Sequence, residues 1–219
     1  MPSADTERLF ETLVAAKPPA AVTDPGVKVR RSAFESLVSC LLSAQSRDRN
    51  TAAAAKALFT VARTPEAILA LDETETARLI KPCGLYNTKA RNLRKLCTTL
   101  LGRHGGTVPK TRQELMALPG IGRKCADIML RFTFGQAAVA VDTHVFRVAK
   151  RLGLSAARTE AGVARDLDEA VPDRFKMQAH LLLLDHGKAI CRSRTPRCMD
   201  CAVRGLCPRL GVVDAGTAD

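Results

Sequence analysis

Leu118-Pro119-Gly120-Ile121-Gly122-Arg123-Lys124 joins two helical segments through a turn that ordinary side chains would crowd. Thr111-x-x-Glu114 opens the helix before it, a capping residue answered three positions later. Gly120 and Gly122 can take positive φ without steric cost, so successive backbone N–H groups can point outward ahead of the second helix. An anion, and a phosphate above all, is the natural ligand of such a turn. That contact positions a nucleic-acid backbone and reads no sequence. Pro-Gly-Ile-Gly alone could be only a tight helix–helix turn, but the basic pair Arg123-Lys124 follows it directly and points to DNA.

Outward from this hairpin the signals are helical. Ser32-x-x-Glu35 is a capping box, followed by Phe34, Leu37, Val38, Leu41 and Leu42 at helical spacing. Thr64-Pro65 and Asp72-x-x-Glu75 open two short helices. Asn87 begins another, with the apolar stripe Leu93, Leu96, Cys97, Leu100 and Leu101 and the stop Gly105-Gly106. Asp142 precedes Val145, Val148, Ala149 and Leu152, and Gly153 ends that run. Thr159 and Asp173 open the last two helices, the final one leading into Cys191. No segment alternates as a strand would, so the expected fold is all-α. With no Gly/Ser linker and no repeat, a domain boundary is expected inside continuous helical packing near residue 136. The tail after Pro208 lacks periodicity and is expected to fray.

The chain carries 34 Lys and Arg against 22 Asp and Glu, a formal charge of +12. Such a field favours polyanions, nucleic acid first and acidic membrane surfaces second. No apolar run approaches the roughly 18 residues of a membrane span, and MPSADTERLF is charged from the start. A soluble cytoplasmic protein is expected, associated with the nucleoid if the source is bacterial.

Lys124 stands near the start of the helix after the hairpin, where the helix dipole favours anions. It is either a second phosphate contact or a catalytic amine. An ordinary lysine is almost wholly protonated near neutral pH, so nucleophilic work needs the ammonium disfavoured. The helix terminus offers only about 0.3–1 kcal/mol. Burial in a pocket beside Arg123 is expected to supply the rest. Asp142 could be a plain helix cap worth about 1 kcal/mol. Capping and chemistry are compatible, because a cap fixes the carboxylate and keeps it ionised. A carboxylate beside the lysine would favour the ammonium, so Asp142 is assigned to the substrate side.

Cys191, Cys198, Cys201 and Cys207 follow the order C-x6-C-x2-C-x5-C. Four close thiolates describe a zinc site or an iron–sulfur cluster. Cys207-Pro208 recurs in cubane proteins and favours [4Fe–4S]; a pair of disulfides ranks below either metal. Cys40 and Cys97 fall in apolar stripes and read as small core residues.

Taken together, LLSAQ at 41–45, GLYNTKA at 84–90, LPGIGRK at 118–124, VDTHVFRV at 141–148 and the cysteine set resemble the endonuclease III family of DNA repair glycosylases. The resemblance runs from about residue 30 to Cys207. It implies two helical domains flanking a DNA-binding cleft: a six-helix domain at 28–136 carrying the helix–hairpin–helix, and a discontinuous iron–sulfur domain at 1–27 plus 137–219. It implies Lys124 as the Schiff-base nucleophile and Asp142 as the essential carboxylate. Gln45 is similar to the residue that fills the stack after a nucleotide leaves, and Leu85 to the wedge in the opposite strand. Their plain alternatives are a helix-end glutamine and a core leucine. Gly120, Gly122, Arg123 and His144 complete the expected DNA contacts, and Arg192, Arg194 and Arg197 could meet phosphates from the cysteine loop.

The implied enzyme is a monomeric, bifunctional glycosylase and abasic-site lyase. It would act on duplex DNA containing oxidised pyrimidines or abasic sites, with a [4Fe–4S] scaffold. Cys125 after the lysine, Ser46-Arg47 after Gln45, and Pro82-Cys83 depart from the usual family residues. Two alternatives remain at this point: a mismatch adenine glycosylase, which usually lacks the lysine, and a non-catalytic DNA-binding iron–sulfur protein. A zinc-binding structural module is the weakest reading.

Overall fold

Eleven α-helices and no β-strand occur among the described residues of the computed structural model, 3–16 and 31–212. The chain divides into two compact units, Pro25–Gly135 and Met1–Asp24 with Gln136–Asp219. The expected boundary at residues 27 and 28 and the tail beyond residue 212 lie outside the described residues.

In the continuous unit, α2 (Ala33–Ser43) starts on Ser32 with both halves of the capping box formed. Next come α3 (Asp48–Val61), α4 (Pro65–Ala70), α5 (Glu73–Leu79) and α6 (Tyr86–His104). Thr64 and Asp72 cap α4 and α5 through their side chains. The helix α6 runs through the core. Leu93, Leu96, Cys97 and Leu100 are fully buried on its inner face, against α4, α5 and α2. The hairpin helices are α7 (Arg112–Met116), capped by Thr111, and α8 (Arg123–Ile128), which continues as a π turn over Met129–Thr133.

Three details differ from the sequence reading. The helix α3 has no side-chain cap, and its buried residues are only Ala54, Ala55, Leu58 and Phe59, too weak a stripe to stand out. The helix α6 begins at Tyr86 rather than Asn87, because Leu85 takes the left-handed conformation that starts it. The π turn closes through Phe134 N–H to Met129 O at 3.1 Å, and nothing in the apolar pattern announces it.

The discontinuous unit contains α1 (Ser3–Ala15), α9 (Thr143–Arg151), α10 (Glu160–Ala170) and α11 (Asp173–Ala189). Leu9, Phe10 and Leu13 of α1 enter one core with Val145 and Val148 of α9, Leu167 of α10 and Phe175 and Leu182 of α11. The rings of Phe10 and Phe175 stack at 5.6 Å. Arg174 adds an exposed tie from α11 to Glu7 and Glu11. The cysteine segment holds two short 3-10 turns, Cys198–Asp200 and Arg204–Leu206, and its fully buried apolar residue is Val203. After Pro208 the chain does not fray at once, since Leu210 N–H donates to Arg151 O.

Candidate functional site

The two hairpin glycines serve different ends. Gly120 sits at φ +80°, and a Cβ there would lie 3.2 Å from both Asn92 Cβ and Leu41 Cδ1. It is required by conformation and by space. Gly122 has φ −94°, so the expected positive φ does not occur. A Cβ at Gly122 would meet nothing within 4 Å, and no side chain caps the start of α8. Its value is an open face beside uncapped backbone N–H groups.

Lys124, one residue into α8, is exposed. The burial expected around its amine is absent, because the second position of α8 faces outward while Ala126 and Asp127 face the core. Arg123 also turns away from the role expected for it. Its Nε donates to Asp127 Oδ2 at 2.8 Å, while Arg112 Nε donates to Oδ1 at 2.7 Å. Asp127 is completely buried, and its two oxygens tie α7 to α8. Sequence reasoning missed this carboxylate. The available signal was an acid on the buried face, four residues after Arg123.

Cys125, beside Lys124, packs against Cys40, whose Sγ lies 3.8 Å from Cys125 O. The Cys125 thiol is pushed far up by its hydrogen bond to Cys40 and by burial. Cys40 is half-buried in this contact rather than a core residue, whereas Cys97 is fully buried and its thiol is pushed up to about 12.

Gln45 and Leu85 share a rare property. Among the described residues, three non-glycine residues have positive φ: Gln45 at 50°, Leu85 at 47° and Arg209 at 55°. A left-handed leucine is strained, and such strain persists only where surrounding structure imposes it. Gln45 is exposed, and Leu85 is 59% exposed. The plain reading of Leu85 as a core residue does not hold.

In the discontinuous unit, Asp142 caps α9 as expected. Its Oδ1 accepts from the backbone N–H groups of His144 at 2.9 Å and Val145 at 2.8 Å. Both bonds land on one oxygen, leaving Oδ2 outside the cap. His144 is half-buried, with Nδ1 3.2 Å from Arg147 Nη2.

Cys191, Cys198, Cys201 and Cys207 line one cavity with about 310 Å³ of empty space, part of it open to solvent. Two arginines of α9 hold this segment. Arg147 donates to Cys191 O and Gly187 O, and Arg151 to Arg192 O and Ser193 O. Arg209 N–H donates to Cys207 Sγ at 3.3 Å, and Arg151 Nη1 reaches Cys191 Sγ at 3.6 Å. Burial, together with the neighbouring cysteines, pushes the Cys201 and Cys207 thiols up.

Among the described residues, no three His, Cys, Asp or Glu side chains stand close enough to share one metal ion. A lone zinc needs its sulfurs about 2.3 Å from a single point. Four cysteines around one cavity make an all-sulfur donor set of the kind that zinc and iron–sulfur clusters take. Arg192 and Arg194 are exposed, while Arg197 pairs with Asp200 at 2.7 Å.

The profile of the HhH-GPD superfamily of base excision DNA repair proteins matches residues 38–173. Endonuclease III of Treponema pallidum (strain Nichols) is 43% identical over 199 residues, covering 91% of this chain and 92% of its own. Endonuclease III of Escherichia coli (strain K12) is 43% identical over 183 residues, covering 84% and 87%. A non-covalent endonuclease III–DNA complex superposes with a TM-score of 0.81 at 33% identity, covering 95% of this chain and 96% of that one. A trapped endonuclease III–DNA covalent intermediate superposes at 0.79 with 35% identity, covering 93% and 96%.

Proposed function

The chain belongs to the endonuclease III family of the HhH-GPD superfamily, and from that membership we propose that it excises oxidised pyrimidines from duplex DNA and nicks the strand by β-elimination. It is a DNA glycosylase and abasic-site lyase of base excision repair. Its partner is DNA; oxidised pyrimidines and abasic sites are the substrates we assign, to a monomer that works with the chromosome in the cytoplasm.

The chemistry asks for an amine that a macromolecular substrate can reach. Lys124 is exposed at the uncapped start of α8, directly behind the hairpin, and this observation carries the reading. DNA closing over the amine would supply the desolvation that the protein does not. Neutral Nζ attacks C1′ of the extruded nucleotide, the C1′–N bond breaks, and the base leaves with its electron pair and a proton. The C1′–O4′ bond then breaks as nitrogen's lone pair forms the C1′=Nζ imine, and O4′ takes up the proton that nitrogen gives up. Loss of the C2′ proton then expels the 3′ phosphate, and water releases the product from the lysine. Asp142, fixed through Oδ1, is assigned to the sugar side, where Oδ2 would stabilise developing positive charge or move the proton.

Gly120 and Gly122 are assigned to a phosphate, with Arg123 contributing its backbone N–H because Asp127 holds its guanidinium. His144 is assigned to the DNA backbone. Gln45 is assigned to the vacated stack and Leu85 to the wedge in the opposite strand, roles that their exposure and positive φ support. Cys191, Cys198, Cys201 and Cys207 would hold a [4Fe–4S] cluster, whose iron–thiolate bonds would pin a loop carrying Arg192 and Arg194.

Borohydride added during incubation with an oxidised-pyrimidine duplex should trap the imine. Lys124→Ala should reduce trapping by at least about 10³-fold, as loss of a nucleophile does. An undiminished yield would remove the lysine from the mechanism. Asp142→Asn keeps an oxygen for the cap and should change stability little, whereas Asp142→Ala should cost about 1 kcal/mol. Both should slow excision; normal excision by Asp142→Asn would reduce this residue to a cap.

A further inference from the structure

Lys89 is 5% exposed and lies on the inner face of α6, in line with the buried Leu93, Leu96 and Leu100. A lysine in an apolar stripe is costly unless its ammonium is held. Its Nζ donates to Leu42 O at 2.9 Å and Cys83 O at 3.0 Å. These acceptors belong to two different turns. Leu42 O lies at the C-terminal end of α2, three residues before Gln45; Cys83 O lies two residues before Leu85.

The other last-turn carbonyls of α2 are engaged locally. Cys40 O accepts from Ser43 Oγ at 2.7 Å, Leu41 O from Ala44 N–H at 3.3 Å and Ser43 O from Ser46 N–H at 3.1 Å. Leu42 O instead reaches sideways to Lys89, and the negative end of the α2 dipole suits an ammonium there. Lys89 N–H also donates to Leu85 O at 3.0 Å, so the same residue forms the first turn above the strained leucine. The turns that lead into Gln45 and Leu85 are thus tied to one residue, through Leu42 O, Cys83 O and Leu85 O, and no side chain caps the start of α6 at Leu85.

We infer that Lys89 is a positioning residue that holds the Gln45 and Leu85 turns in one register, so that both side chains enter the duplex together. This inference rests on the assignment of those two residues to the DNA stack. Its consequence is selective: single-stranded DNA has no partner strand to separate and no orphaned base to meet, so abasic-site cleavage there should not need the register.

The test uses the full-length holoprotein and one abasic-site oligonucleotide, as a duplex and as a single strand. A second duplex carries 2-aminopurine opposite the abasic site to report its unstacking. Lys89→Met should slow duplex nicking about 10–100-fold, as misplacement of about 1 Å does. It should leave single-strand nicking unchanged and lose the 2-aminopurine response. Lys89→Gln, which restores N–H donors, should recover part of both, and it carries the same test if the methionine variant does not fold. In a Gln45→Ala/Leu85→Ala background, replacing Lys89 should have no further effect on duplex nicking. Equal losses on both substrates, or an additive loss in that background, would overturn the inference. Absence of a borohydride-trapped complex with the unsubstituted protein would instead overturn the functional reading beneath it.

Discussion

The Pro25–Gly135 unit and the discontinuous unit hold their functional loops by different means. In the first, each loop is tied by side chains of the same unit: Lys89 joins two turns, and Asp127 joins the two arms of the hairpin through Arg112 and Arg123. In the second, the cysteine segment buries little apolar surface of its own and leans on Arg147 and Arg151 of α9. Four thiols line one cavity within it. Apolar packing and internal ion pairs make a preformed surface, whereas the metal proposed for the cysteine segment would add order to it on binding.

Metal removal should separate the two units most sharply. Anaerobically purified protein should contain iron; after chelation, amides of residues 191–207 should lose nearly all exchange protection while those of 31–135 keep theirs. Zinc without iron, or equal loss in both regions, would break the contrast. Next in size is Asp127→Ala, which leaves two partly exposed arginines without their shared carboxylate. It should cost about 2–4 kcal/mol, read from denaturant unfolding, with faster exchange in α7 and α8 and little change in α9 to α11. Uniform loosening would show that the hairpin clamp is not local.

The smallest effect is expected where the two units are alike. Glu75 and Asp173 lie in the first turns of α5 and α11, and hydrogen bonds from Arg78 and Lys176 hold both carboxyls below their usual values. A depressed carboxyl pKa stabilises the fold above the unfolded value and loses that contribution as pH falls through the folded one. Melting temperature should therefore drop slightly below about pH 4.5, the ordinary range of these carboxyls, and Arg78→Ala should flatten part of that limb. A drop centred near neutral pH would point to other groups.

Helix starts were legible because their causes are local. Ser32, Thr64, Asp72, Thr111, Asp142 and Thr159 each accept a hydrogen bond from within their own first turn. The start of α3 was not, because Arg47 provides no side-chain cap. Gly120 was legible as a turn glycine, but Gly122 was assigned the wrong φ, since a pattern of two glycines does not say which is needed for shape and which for access. Lys89 was hidden in plain view, one more residue of the GLYNTKA run. Its place in the stripe with Leu93, Leu96 and Leu100 was the available clue.

Local hydrogen bonding and apolar period determined, from sequence alone, an all-helical chain with a glycine hairpin and a terminal cluster of cysteines. Tertiary structure alone decided that Lys124 faces outward, that Arg123 is committed to a buried aspartate, and that a buried ammonium links Leu42 O to Cys83 O, carbonyls of two turns far apart in sequence. The reason is range. A cap or a stripe is written within one or two turns of chain, whereas the partner of a long charged side chain depends on which distant backbone the packed core brings beside it.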